Sequence, residues 1–176
     1  MTERIIIAGA GGQGVMLLGK ILAEAVMRED KFVTWLPSYG AEVRGGTSHC
    51  MVVISDTEIG SPYVERADTL IIMNAPSIER FKNRIINKGL LIINSSLVPR
   101  YTNKNVHVLQ FPFTDIAIKL GNIRVANVVA LGCFIAQKKV VSLKSIFRVI
   151  SDIAPEEKKY LIKINKKALE EGARLK

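Results

Sequence analysis

Apolar residues in this chain follow two rhythms. Short continuous apolar runs, bounded by glycine, proline or polar clusters, alternate with stretches whose apolar positions recur at helical spacing. The runs at 5–8, 32–36, 48–55, 69–73, 90–94 and 106–110 predict strands. A glycine turn at 9–12 leads into a predicted helix over 13–28. Ser77 predicts the cap of a helix reaching about 87, with Gly89 as its stop. Three helical stretches finish the chain: 114–120 with 124–137, then 142–150, then 155–172. Strands alternating with helices predict an α/β fold, here a three-layer α/β/α sandwich with a largely parallel central sheet. No repeat or interdomain linker interrupts the pattern, so 1–176 reads as a single domain.

Two predicted helices carry more information. In the first, Lys20, Glu24 and Arg28 form one narrow polar stripe at i, i+4, i+8, and almost everything else from 15 to 26 is apolar or glycine. Such a helix needs cover from more than one layer, either the chain's own later helices or a partner subunit. If the cover comes from outside, the isolated chain is expected to self-associate, as a homodimer for example. The stretch 125–136 is apolar all round except for Asn127. It is too short to span a bilayer, so it predicts a buried helix. A buried Asn127 must find hydrogen bonds, by bracing a loop or by reaching a ligand or partner.

Composition narrows the chemistry. No run approaches the length of a membrane span and the start lacks a secretory signal, which predicts a soluble, cytoplasmic protein with no membrane partner. Cys50 and Cys133 are the only cysteines, far apart and both in apolar surroundings. An iron–sulfur cluster needs about four thiolates, and zinc spacing is absent, so no metal site is expected here. The net charge is +9, with the excess around 80–104, 138–148 and 158–167. Such charge favours anionic partners. The basic runs hold few aromatics for stacking bases, however, and no nucleic-acid motif, so nucleic acid is not expected and solvated helix faces are the plainer reading.

Chemistry concentrates in two segments. "GAGGQG", residues 9–14, matches GxGxxG between a strand and a helix, the context in which glycines and a helix N-terminus receive phosphate. The fingerprint also needs an acid at the end of the second strand, where this chain has Thr34-Trp35-Leu36-Pro37. A tight structural turn, or contact of Gly11, Gly12 and Gln13 with another anion or a partner backbone, fits better than dinucleotide binding. A stand-alone nucleotide-binding protein is the alternative reading. The second segment is "PSYGAEVRGGTSHC", residues 37–50. Pro37, Ser38, Tyr39 and Gly40 have turn chemistry. Gly45 and Gly46 permit close backbone approach. Arg44 beside them presents a bidentate fork with little cover, and Glu42 completes a loop that reads as an ion-paired turn or as a surface docked on an anion or another subunit. No nucleophile–base set surrounds it. His49 and His107 lie in predicted strands, where a lone histidine is more often structural.

"GAGGQGV" at 9–15, "PSYGAEVRGGTSHC" followed by "VVISDTEIGSP", and "ANVVALG" at 126–132 together resemble the gamma subunit of the 2-oxoacid:ferredoxin oxidoreductases. The motifs keep their order to about Gly132; the last helices carry none. The resemblance implies an α/β domain in a multi-subunit enzyme that oxidatively decarboxylates a 2-oxo acid, joins the acyl group to coenzyme A and reduces ferredoxin. It implies no catalytic residue on this chain and no activity alone. Thiamine diphosphate, Mg²⁺ and the iron–sulfur clusters would then sit on partner subunits, with ferredoxin met through the complex. A chain of this length looks most like the 2-oxoglutarate enzymes, with pyruvate, branched-chain and indolepyruvate versions open. The loop 38–48, with Ser38, Tyr39, Glu42, Arg44, Gly45, Gly46, Thr47 and Ser48, is expected to contact coenzyme A or a partner subunit. Gly11, Gly12, Gln13 and Asn127 belong to the same expected site.

Overall fold

The computed structural model describes residues 1–38 and 47–175. Their centre is a six-stranded sheet ordered β2 (Phe32–Ser38), β3 (Thr47–Ser55), β1 (Thr2–Ala10), β4 (Ala67–Ile72), β5 (Ile85–Asn94), β6 (His107–Phe111). The pairings β1–β4, β4–β5 and β5–β6 are parallel. β3 runs against both of its neighbours, β1 and β2. The sheet is therefore largely parallel with one reversed strand inside it.

Alternation along each strand sends side chains to two covers. Ile5, Ile7, Cys50, Val52, Ile71 and Ile92 face a thick layer built from α1 (Val15–Met27), α3 (Phe113–Lys119), α4 (Ala126–Lys138), α5 (Leu143–Ile153) and α6 (Ile162–Arg174). Ile6, Ala8, Met51, Val53, Leu70 and Ile93 face a thinner one, where α2 (Ala75–Phe81) contributes Ile78 and Phe81 and loops add Val64 and Val98. Because both faces are dry, the strands read as continuous apolar runs rather than alternating ones. Each fully buried isoleucine or leucine contributes about 1.5–3 kcal/mol. The second cover of α1 comes from this chain's own α4 and α5. Among the described residues no helix is long and apolar enough to cross a membrane.

Two predicted helices change shape. The cap of α2 is Asn74, whose Oδ1 accepts the Ser77 N–H at 3.2 Å, and the helix ends at Phe81 rather than near 87. After a 3-10 turn at Lys82–Arg84 the chain is already in β5, where β-branched Ile85 and Ile86 favour a strand. Gly89 does not stop a helix. It lies beside a register shift against β4, and a Cβ there would stand 3.0 Å from the Asp68 carbonyl oxygen. The last predicted helix splits into a 3-10 segment, Glu156–Leu161, and α6.

The predicted buried helix is α4, with every residue from Ala126 to Ile135 buried. It meets α6 backbone to backbone. A Cβ on Gly132 would collide with the Leu169 carbonyl, and one on Gly172 with the Val129 carbonyl. Neither obstacle is a flexible side chain, so Gly132→Ala is expected to destabilise the fold by about 1–3 kcal/mol. A urea titration of both proteins, with unchanged slope and a lowered midpoint, checks this.

Near the starts of β1 and β4, Asp68 receives the Arg4 backbone N–H at 2.8 Å, the Arg4 Nε at 2.8 Å and its Nη2 at 3.1 Å. Partial burial pushes the Asp68 carboxyl up, but these bonds outweigh it and hold the group below its ordinary value. A folded-state pKa below the unfolded one means the stabilisation is complete above the usual carboxylate range. It is lost as pH falls through the folded value. Arg4 is half exposed, so solvent screens the pair. Asp68→Asn should therefore cost only about 1 kcal/mol at pH 7 and nothing once both proteins are below the folded value. Thermal melts from pH 7 down to pH 2 would show the two stability curves converging.

Candidate functional site at the carboxyl edge of the sheet

β1 ends in the glycine turn, and β4 ends beside it at Met73, whose N–H donates to the Ala8 carbonyl at 2.8 Å. The helices that follow these strands lie on opposite faces, α1 on the thick side and α2 on the thin side. The crevice between two such strands is where α/β sheets bind ligands. Five of the expected residues come to this edge. Gly11 and Gly12 form its exposed tip, Gly12 at φ 86. Thr47 pairs with Ala10 and Ser48 with Gly9 at the start of β3. Ser38 lies one strand further out, paired with His49. Tyr39, Glu42, Arg44, Gly45 and Gly46 fall outside the described residues. The two residues that bracket their segment, Ser38 and Thr47, both belong to this end of the sheet.

Gln13 turns inward. Its Oε1 accepts the Ala10 N–H at 2.7 Å and its Nε2 donates to the Met73 carbonyl at 3.2 Å. A Cβ on Gly9 would stand 2.6 Å from that Oε1, so the glycine is needed to admit the Gln13 side chain. A loop amide that a phosphate would use is thus already satisfied within the turn. Asn127 comes up from beneath. Its Nδ2 donates to the Gly14 carbonyl at 3.2 Å, and its Oδ1 accepts the Val128 N–H at 2.9 Å. It braces the turn, the plainer of its two expected roles. Gly14, at φ 72, has no room for a Cβ against that amide.

The cavity beside the turn measures about 150 Å³ and is lined by Gln13, Met73, Leu97, Thr114 and Arg124. Ligand sites usually enclose about 300–1,000 Å³, so among the described residues this cavity is small for a dinucleotide. Thr114 is occupied as well, its Oγ1 accepting the Asn94 amide at 2.9 Å. At the end of β2, where a ribose-binding acid would stand, Trp35 packs over Gly19. Gly9 and Gly14 of GAGGQG therefore answer to packing, while Gly11 and Gly12 stay exposed at its tip.

Sequence reasoning missed two arginines at this edge. Arg80, on α2, donates from Nη1 to Thr47 Oγ1 at 2.7 Å and lies 5.4 Å from the Phe81 ring centroid. Arg124 stands exposed in the turn before α4. Arg80 opens a basic run, where a charge count alone does not show which member faces a site, and Arg124 stands alone outside those runs. His49 is buried against Phe81, with ring centroids 4.9 Å apart, in a structural setting. Both cysteine thiols are buried in the thick-layer core, and burial pushes each up to about 12. Among the described residues no three His, Cys, Asp or Glu side chains converge as metal ligands. Among these described residues the donor set offers no fit for a cluster or a Mg²⁺ ion.

Residues 4–175 match the pyruvate ferredoxin/flavodoxin oxidoreductase family. The ketoisovalerate oxidoreductase subunit VorA of Methanothermobacter thermautotrophicus is 37% identical over 97% of this chain, which spans only 35% of VorA's length. The 2-oxoglutarate synthase subunit KorC of Methanocaldococcus jannaschii is 35% identical, with 94% of this chain and 92% of KorC aligned. The solved structure of the gamma subunit of a keto/oxoacid ferredoxin oxidoreductase from Geobacter sulfurreducens superposes with a TM-score of 0.84 at 31% identity, covering 97% of this chain and 95% of that one. A match from the first strand through the last helix leaves one conclusion: the chain belongs to the pyruvate ferredoxin/flavodoxin oxidoreductase family.

Proposed function

We propose that the chain, acting as one domain over 1–176, is the gamma subunit of a cytoplasmic 2-oxoacid:ferredoxin oxidoreductase, with 2-oxoglutarate as the oxo acid. The observation that carries this reading is the end-to-end alignment with KorC, a 2-oxoglutarate synthase subunit of nearly the same extent. In the reaction the carboxylate leaves as CO₂, the acyl group joins the sulfur of coenzyme A, and the electrons pass to ferredoxin. Thiamine diphosphate with Mg²⁺ and the iron–sulfur clusters supply carbanion stabilisation and electron transfer. In this reading they belong to partner subunits, and this chain alone is inactive. The 37% identity to VorA favours a second reading, a branched-chain 2-oxo acid as substrate.

Native co-purification tests both readings. The tagged chain should bring down subunits that reduce ferredoxin with 2-oxoglutarate and coenzyme A, with kcat/KM at least about tenfold above that for 2-oxoisovalerate. The reverse order would select the branched-chain reading. No oxo acid-dependent reduction at all would defeat the subunit assignment.

In the same reading the segment between Ser38 and Thr47 receives coenzyme A, with Arg44 on one of its phosphates. Support comes from chemistry and place. The fork-like guanidinium stands beside two glycines in sequence. The bracketing residues lie at the edge where Arg80 already reaches Thr47. A charge-assisted bond is worth about 1.5–3 kcal/mol, so Arg44→Ala should raise the KM for coenzyme A roughly tenfold to a hundredfold. The KM for the 2-oxo acid should stay put, and Arg44→Lys should recover only part of the loss. Steady-state kinetics on the intact complex, varying each substrate in turn, reads this. Loss of partner subunits with no change in that KM would make Arg44 an interface residue instead.

A further inference from the structure

A second concavity opens between α1, the start of α4, the end of α5 and the turn Glu156–Leu161, and it encloses about 390 Å³. Leu17, Ile21, Val128, Ile153 and Leu161 make it largely apolar. Leu17 is 46% exposed there, and Tyr160 on its rim is 75% exposed. Apolar surface gathered in a groove marks a contact site more strongly than scattered exposed side chains do.

The polar groups in the wall decide what kind of occupant fits. The three asparagines spend side-chain bonds on backbone. Asn122 Oδ1 accepts the Arg124 N–H at 3.0 Å, Asn165 Nδ2 donates to the Leu161 carbonyl at 2.9 Å, and Asn127 holds Gly14. A small polar metabolite would find few directional partners, whereas an apolar protein segment needs few. The charges in the wall are Arg124 and Lys158; no carboxylate lines it, and among the described residues neither cation forms an ion pair. A second copy of this chain, itself at +9, would bring like charge to that rim.

Resting on the subunit reading above, we propose that this groove seats an apolar segment of the partner subunit, flanked by carboxylates that pair with Arg124 and Lys158. The size of the relatives agrees. In VorA the stretch matched by this chain is only 35% of one polypeptide, so a large further protein surface is tethered to this domain. The apolar contact supplies affinity, and the two cations fix orientation and speed encounter.

The test uses the chain tagged in its native host, where the complex is identified by oxo acid-dependent ferredoxin reduction. Two variants address the groove: Leu17→Asp on its floor, and the double change Arg124→Glu with Lys158→Glu on its rim. All three positions are exposed, so circular dichroism and melting of the isolated variants should match the wild type. Subunits recovered per tagged chain should fall about tenfold or more for each variant. Recovery with the wild type should drop as NaCl rises, and this dependence should flatten in the double variant. Should Leu17→Asp misfold, the rim variant and the salt series read the same contact. Wild-type subunit ratios and activity in both variants would overturn the groove assignment while leaving the subunit reading intact. A wild-type chain that recovers no active complex would overturn both. An isolated chain that sediments as a dimer, and as a monomer after Leu17→Asp, would give the groove to self-association instead.

Discussion

Helix α4 is tied at its start to the turn after β1 and at its end to β1 itself, and the positions of the turn, the edge and the groove follow from that. At its start, Asn127 donates to the Gly14 carbonyl just past the exit of β1. At its end, Lys138 Nζ lies 3.0 Å from the carboxylate of Glu3, near the beginning of β1. Glu3 is 6% exposed and also accepts the Thr69 hydroxyl from β4 at 2.6 Å. Burying that carboxylate carries a desolvation cost, and the arrangement holds because both an ammonium and a hydroxyl meet it. Between the two pins, Gly132 lets α6 press directly on the α4 backbone. A helix fixed at each end and dry along its length has no neighbouring register to slip into. It therefore sets where the glycine turn stands relative to the helices around it.

Most of the sheet was legible because its signal is local. A strand dry on both faces must be apolar at every position, and Ile5 to Ala8 or Leu90 to Ile93 need no distant partner to be recognised. Strand direction has no such signal. Period-two alternation is the same whichever way a strand runs, so nothing in residues 47–55 announces that β3 reverses between β1 and β2. The overlong α2 has a related cause. Ser77 and Gly89 carry helix start and stop chemistry, but Asn74 makes the cap, and Gly89 answers to the carbonyl of Asp68 on the next strand. Tertiary contact overrode both signals.

The site was half legible for the same reason. Its glycines were visible, while the use made of them was not. Gly9 makes room for Gln13, and Gln13 reaches a carbonyl sixty residues on, at Met73. Gly14 makes room for Asn127 from a helix much later in the chain. Two of the three glycines in this GxGxxG, Gly9 and Gly14, thus meet packing demands made by side chains elsewhere in the chain. The sequence shows the missing acid after β2, but not that the Gln13 amide turns inward to Ala10 and Met73.

Arg124 lines both the cavity beside the turn and the apolar groove, so these two features are parts of one continuous surface. In the isolated chain that surface is weak electrostatically. Water screens an exposed guanidinium, and a single surface pair is worth at most about 1 kcal/mol. Covering the groove with protein lowers the local dielectric, and the same charge then acts more strongly on whatever stands nearby. Several cations elsewhere are already committed within the chain, Lys138 to Glu3, Arg4 to Asp68 and Arg28 to Asp152. Arg124 and Lys158 are committed to nothing among the described residues. A positive excess placed beside an apolar groove and a glycine turn does little for the folded chain by itself. Its electrostatic energy is realised only when another surface excludes the water.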